Sequence, residues 1–101
     1  MKNLKGSTRT YLRGLAHKLK PVVQVGKNGL TEDLYAAINE ALESHELIKL
    51  KFIDYKESKK EFSQEISDKT KSELLGIIGN IAIYFRQNPD IKKRKIKVLE
   101  E

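Results

Sequence analysis

The sequence predicts an α+β domain, a four-stranded mixed sheet with helices in a two-layer arrangement and the order α-β-α-β-α-β-β. Three observations predict it. Three charged stretches carry apolar residues at helical spacing, short Val- and Ile-rich runs separate them, and the last two runs flank a Gly-Asn pair. With 101 residues and 39% hydrophobic content, the chain has room for one domain and one modest core. We place that domain at residues 1–97, with a short tail at 98–101.

Ser7 is the expected N-cap of a first helix, in which Leu12, Leu15, Ala16 and Leu19 follow the i, i+3, i+4, i+7 spacing of a buried stripe. Arg9, Arg13 and His17 form a separate i, i+4 stripe facing away from those leucines. Pro21 disfavours helix at Lys20, so the helix is expected to stop there or slightly earlier. Val22, Val23 and Val25 read as a short, buried strand, broken by Gly26-Lys27-Asn28-Gly29. Thr31 is positioned to cap a second helix with apolar positions at Leu34, Ala37, Ile38, Ala41, Leu42 and His45. Glu32 and Asp33 sit in its first turn, where the helix dipole favours acids.

Ile48, Leu50 and Phe52 alternate with Lys49 and Lys51, the period of a half-buried strand. Phe62, Ile66 and Thr70 mark a third helix, with a narrow apolar face, from near Glu57 to about Lys71. Leu75, Ile77 and Ile78 precede Gly79-Asn80, and Ile81, Ile83 and Phe85 follow it, which predicts a hairpin with a two-residue turn. A short extension is expected at Ile96 to Leu99. Strands joined through helices tend to be parallel neighbours, whereas a hairpin is antiparallel, and this makes the sheet mixed.

The formal net charge of +6 is unevenly distributed. Met1 to Leu30 holds seven Lys or Arg and no acid, whereas Thr31 to Ile48 holds five acids and no Lys or Arg. A polyanion would therefore meet the first third and the basic tail, where Lys92, Lys93, Arg94, Lys95 and Lys97 cluster. The absence of Cys excludes disulfides, thiolate metal sites and a Cys nucleophile. No apolar run approaches the roughly 20 residues that span a bilayer. The start is basic and acid-poor, as transit peptides are, but it lacks the apolar core of a secretory signal and leads straight into the first helix. A cytoplasmic protein is the expectation.

Chemistry concentrates at Gly26-Lys27-Asn28-Gly29. Two glycines between a strand and a capped helix allow a tight turn and let a phosphate approach the backbone with no Cβ in the way. The first N–H groups of the helix favour an anion, and Lys27 adds a cation. Loops of this kind clamp nucleic-acid backbone in KH-type domains. The plain alternative is an ordinary strand-to-helix turn. Arg9 and Arg13, flanked by Lys5, Lys18 and Lys20, offer a second surface that could reach consecutive phosphates or simply face water. Tyr84 and Arg86 share one face of the last strand, where the tyrosine either stacks on a base with Arg86 beside it or covers a helix; the latter is the ordinary case.

No catalytic constellation is present. His17 and His45 lie on different helices, with His17 exposed by pattern and His45 on an apolar stripe, as a core histidine would be. Gly26-Lys27 is not followed by Ser or Thr and lacks the upstream glycine of a phosphate-binding Walker loop. No cofactor or metal is expected.

The stretch YLRGLAHKLKPVVQVGKNGLT, from Tyr11 to Thr31, resembles the opening of the YhbY-like (CRM domain) proteins: a basic helix, Leu-Ala-His, Lys-Pro, a Val-rich strand and a glycine loop followed by Leu-Thr. Ala41-Leu42-Glu43, His45 to Lys49 and GNIAIYFR from Gly79 to Arg86 are also similar, so the likeness runs from about Thr8 to Lys97, poorest in the third helix and tail. The resemblance implies a fold similar to the C-terminal domain of bacterial translation initiation factor three, with a KH-like glycine loop. It also implies association with precursors of the large ribosomal subunit, as in stand-alone bacterial members. Carried over, the clamp is Gly26, Lys27, Asn28 and Gly29, flanked by Arg9 and Arg13.

The expected function is RNA binding without catalysis, on ribosomal RNA during assembly, by a monomer. Ribosomal proteins are possible further partners. The alternative is a protein-interaction module that docks to a ribosomal or assembly protein through the acid-only second helix. A third reading, a peripheral membrane protein using the basic first helix, ranks last.

Overall fold

A computed structural model describes residues 4–98. The elements follow the expected order: α1 (Gly6–Ala16), β1 (Val23–Val25), α2 (Glu32–His45), β2 (Leu47–Phe52), α3 (Lys59–Thr70), β3 (Glu73–Ile78) and β4 (Ile81–Phe85). Single 3-10 turns at Lys56–Ser58 and Ile91–Lys93 precede α3 and follow β4. The sheet order is β1-β2-β4-β3. β1 runs parallel to β2, with Val25 opposite Phe52, and β4 is antiparallel to both β2 and β3. β2 and β3 are joined through α3 yet are not neighbours, because β4 lies between them.

The α+β class and mixed sheet are those expected, but the two-layer arrangement gains a third layer. The reason is two-sided burial: Leu47 and Ile48 are both buried, as is every residue from Ala82 to Phe85. One face carries Val23, Val25, Leu50, Phe52 and Tyr84 under Ile38 and Leu42 of α2 and Ile66 of α3. The other carries Leu47, Leu75, Ile83 and Phe85 under Leu12 and Ala16 of α1, with Leu4, Ile96 and Val98 packed alongside. Burying one such aliphatic side chain is worth about 1.5–3 kcal/mol. Val98, expected in the tail, is thus part of the packed domain, while Leu99 lies outside the described residues.

α1 departs from the predicted pattern at both ends. Lys5, not Ser7, occupies the N-cap position, and the helix stops at Ala16. Only Leu12 and Ala16 of the predicted stripe are buried. Leu15 lies about 60° round the helix from Leu12 and Leu19 lies beyond its end, so each stays about 40% exposed. α2 begins as predicted, with Thr31 Oγ1 accepting the Leu34 N–H at 3.1 Å. It ends at Glu46, where φ is +63°. The turn carries His45 out of the core, so this expected core histidine is exposed. α3 has a narrow apolar face because its buried side is mostly small hydroxyls, Ser63, Ser67 and Thr70, around Ile66. Thr70 Oγ1 returns its proton to Ile66 O at 2.7 Å, and Tyr84 Oη donates to Ser63 O at 2.9 Å. Tyr84 therefore covers a helix and is closed to a base.

The buried Glu46 carboxylate ties the far end of the chain to the core. Its Oε1 accepts from Lys95 N at 2.7 Å and Ile96 N at 2.9 Å, and its Oε2 accepts from Asn88 N. Arg94 Nε donates to Asn88 O at 2.8 Å and closes the segment on itself. The basic stretch is therefore a fixed part of the fold.

Candidate nucleic-acid interface

The glycine loop stands where β1 ends and α2 begins, at one edge of the sheet. Gly29 N–H closes on Gly26 O at 3.0 Å, a β-turn with Lys27 and Asn28 at its centre. Gly29 has φ +72°, a left-handed conformation that favours glycine. Gly26 does not, and a Cβ built on it meets open space. Gly26, Lys27 and Asn28 are all exposed. The Lys27 and Asn28 N–H groups have no backbone partner among the described residues, and Lys27 forms no ion pair there.

Tyr55 holds the turn from below. Its hydroxyl donates to Lys27 O at 2.8 Å, its ring lies 3.5 Å from where a Gly29 Cβ would stand, and it stacks at a tilt on Phe62 with centroids 5.2 Å apart. This fixes the carbonyl side of the loop and leaves its amide side free. The helix terminus contributes less than expected to anion binding. Thr31 already occupies the Leu34 N–H, and Glu32 and Asp33 supply negative charge there. The loop N–H groups, Asn28 and Lys27 are therefore the better partners for a phosphate.

The structure divides the candidate residues. α1 packs on β2, β3 and β4, and it leaves Val22 and Gln24 beside β1 exposed on the same side. Exposed Lys18 and Lys20 begin this open strip and the loop ends it. Lys51, paired with Gln24 across the β1–β2 ladder, is also exposed on it. Arg9 and Arg13 lie elsewhere, at the opposite edge, three inter-strand spacings or about 14 Å from β1. Their guanidinium groups are engaged: Arg9 pairs with Glu73 at 3.0 Å and donates to Leu74 O at 2.7 Å, while Arg13 donates to Leu75 O at 3.0 Å. These carbonyls flank the register shift of β3, so the predicted free stripe is a brace on an edge strand. Lys5 is exposed at the start of α1, and its carbonyl accepts the Arg9 N–H. Arg86 lies at the far end of β4 from the loop, bonded to Asn39 Oδ1 at 2.7 Å and Thr70 O at 2.8 Å. It joins α2 to α3.

Sequence reasoning missed Lys51 and Tyr55. The signal for Lys51 was present, because the lysines are the outward half of the β2 alternation. Tyr55, which takes φ +58° after the strand, carried none.

Three comparisons bear on this geometry. The family model described as the CRS1 / YhbY (CRM) domain matches residues 4–86. An RNA-binding protein of Haemophilus influenzae is 40% identical over 93 residues, spanning 91% of this chain and 94% of that one. The probable RNA-binding protein YqeI of Bacillus subtilis is 33% identical over 91 residues, 89% of this chain and 95% of its own length. The solution structure of a hypothetical protein from Staphylococcus aureus superposes with a TM-score of 0.77 at 34% identity, covering 94% of this chain and all of that one.

Proposed function

The chain belongs to the CRS1/YhbY (CRM) domain family, and from that membership and the loop geometry we propose that it is an RNA-binding protein without catalytic activity. The observation that carries the proposal is the loop itself: a turn anchored on its carbonyl side by Tyr55, with two N–H groups, Asn28 and the unpaired Lys27 presented outward. A phosphate oxygen placed there meets charge-assisted donors and no side chain in its way. Lys18, Lys20 and Lys51 extend the positive strip over which further phosphates run. The relatives named as RNA-binding proteins support the class of ligand. We assign the target to ribosomal RNA in large-subunit precursors and the active form to a monomer. Arg9, Arg13 and Arg86 act in this reading as structural ties.

The test is a titration of labelled large-subunit ribosomal RNA fragments at several salt concentrations, beside duplex DNA of equal length. RNA should be preferred, with affinity falling steeply as salt rises. Lys27→Ala should weaken binding and reduce the log–log salt slope by about 0.9. Undiminished affinity in a folded Lys27→Glu variant would remove the loop from the interface.

A further inference from the structure

On the α1 side of the sheet, an open groove of about 630 Å³ lies between α1 and the C-terminal segment. Tyr11, Leu15 and Leu19 form one wall, Val22 continues it, and Ile96 forms the other. Tyr11 and Val22 are half exposed, and the two leucines are only slightly less so. Four large apolar side chains left open side by side on a small domain mark a binding surface more than a solvated one. Lys20, Lys95 and Lys97 rim the groove, and among the described residues no Asp or Glu lines it.

Two features make this a preformed site. The second wall is held in place by the two backbone bonds from Lys95 and Ile96 to Glu46. Along the first wall, Tyr11 and Leu15 are spaced i, i+4 on α1, and Leu19 lines the groove just beyond the helix end. RNA gains little from walls that are aliphatic apart from Tyr11, since its phosphates need cations and its bases need flat aromatic partners. An apolar channel whose described charged rim is basic complements a helix with one aliphatic face and acidic flanks. We propose that the groove between α1 and residues 95–97 docks an acidic amphipathic helix of a partner protein. The second wall lies beyond the residues matched by the family model, which end at Arg86.

The probe is a labelled synthetic peptide of Leu and Glu, of roughly 15–20 residues, with leucines at helical spacing. A scrambled peptide of the same composition is the control, and both are titrated by fluorescence anisotropy with amide chemical-shift mapping. The patterned peptide should bind and the scrambled one should not, with shifts centred on Leu15, Leu19 and Ile96. Leu15→Ser combined with Leu19→Ser should weaken binding by at least about tenfold and leave RNA affinity unchanged. Lys95→Glu combined with Lys97→Glu provides a second variant at exposed positions should the first fail to fold. Equal binding of both peptides would reduce the effect to charge and overturn the proposal, as would no binding of either. RNA shifting the same leucines in place of the peptide would overturn it too, as would self-association abolished by the serine variant, which would assign the groove to a second copy.

Discussion

Replacing Gly26 by Ala separates what the fold needs from what a ligand needs. Gly26 lies outside the left-handed region, and a Cβ there meets nothing within 4 Å. The methyl group should therefore not harm the fold. By restricting the unfolded chain it should stabilise by about 0.4–1 kcal/mol, which raises Tm by about 2–8 °C in a domain of this size. If a phosphate approaches the backbone at this point, the same methyl holds it off. One hydrogen bond to a charged group is worth about 1.5–3 kcal/mol, so Kd should rise by about 10- to 150-fold. Gly29→Ala is the counterpart. Its Cβ would make ordinary contact with the Tyr55 ring at 3.5 Å, but φ of +72° makes alanine cost about 1–2 kcal/mol. Thermal melts by circular dichroism and anisotropy titrations of a labelled RNA hairpin at fixed salt read both quantities. Unchanged RNA affinity in a Gly26→Ala protein that melts no lower than the parent would refute close backbone approach at the first glycine.

Three further outcomes follow from the described contacts. Tyr55→Phe removes the bond to Lys27 O; amide exchange at Gly29, whose N–H closes the turn on Gly26 O, should quicken and RNA affinity should fall about two- to fivefold, from roughly 0.5–1 kcal/mol. Glu46→Ala leaves three backbone donors without their acceptor; the buried Asn88 N–H alone costs about 1–3 kcal/mol unpaired and the two part-buried ones add less, so urea unfolding should show a loss of at least about 1 kcal/mol, and no loss would show that water replaces the carboxylate. Burial pushes the Tyr84 phenol well above its ordinary value near 10, with its bond to Ser63 opposing part of the rise. A raised folded value means that stability is intact below about pH 10 and lost as pH climbs beyond it; urea melts between pH 9 and 11 should show this decline, and Tyr84→Phe should flatten it.

Most of the fold was legible because short-range chemistry set it. The Thr31 cap, the Lys49 and Lys51 alternation and the Gly79-Asn80 turn each rest on a few neighbouring residues, and each stands where the pattern put it. The glycine loop was legible for the same reason. The surface around it was not, because it depends on where α1 crosses the sheet. The i, i+4 spacing of Arg9 and Arg13 says that they share a face, but not that an edge strand with open carbonyls lies under it. His45 was misjudged for lack of long-range information, since the reversal at Glu46 sets its surroundings, and the ties of Arg86 to α2 and α3 were hidden for the same reason. The third layer escaped notice because Ala82 to Phe85 reads as an alternating strand when only its Ile and Phe residues are counted, although Tyr84 on the opposite face was read as covering a helix.

The sheet order β1-β2-β4-β3 also has a consequence in time. The last strand to be synthesised is an inner one, and both antiparallel ladders run through it. A nascent chain that has not yet reached Ile81 holds only the β1–β2 pair, and β3 has nothing to join. Long-range closure of this kind is slow relative to helix formation, so the sheet assembles near the end of synthesis. Chains cut short before β4 expose the strand faces of both cores at once, which makes incomplete product easy prey for proteases and leaves intact molecules as the survivors.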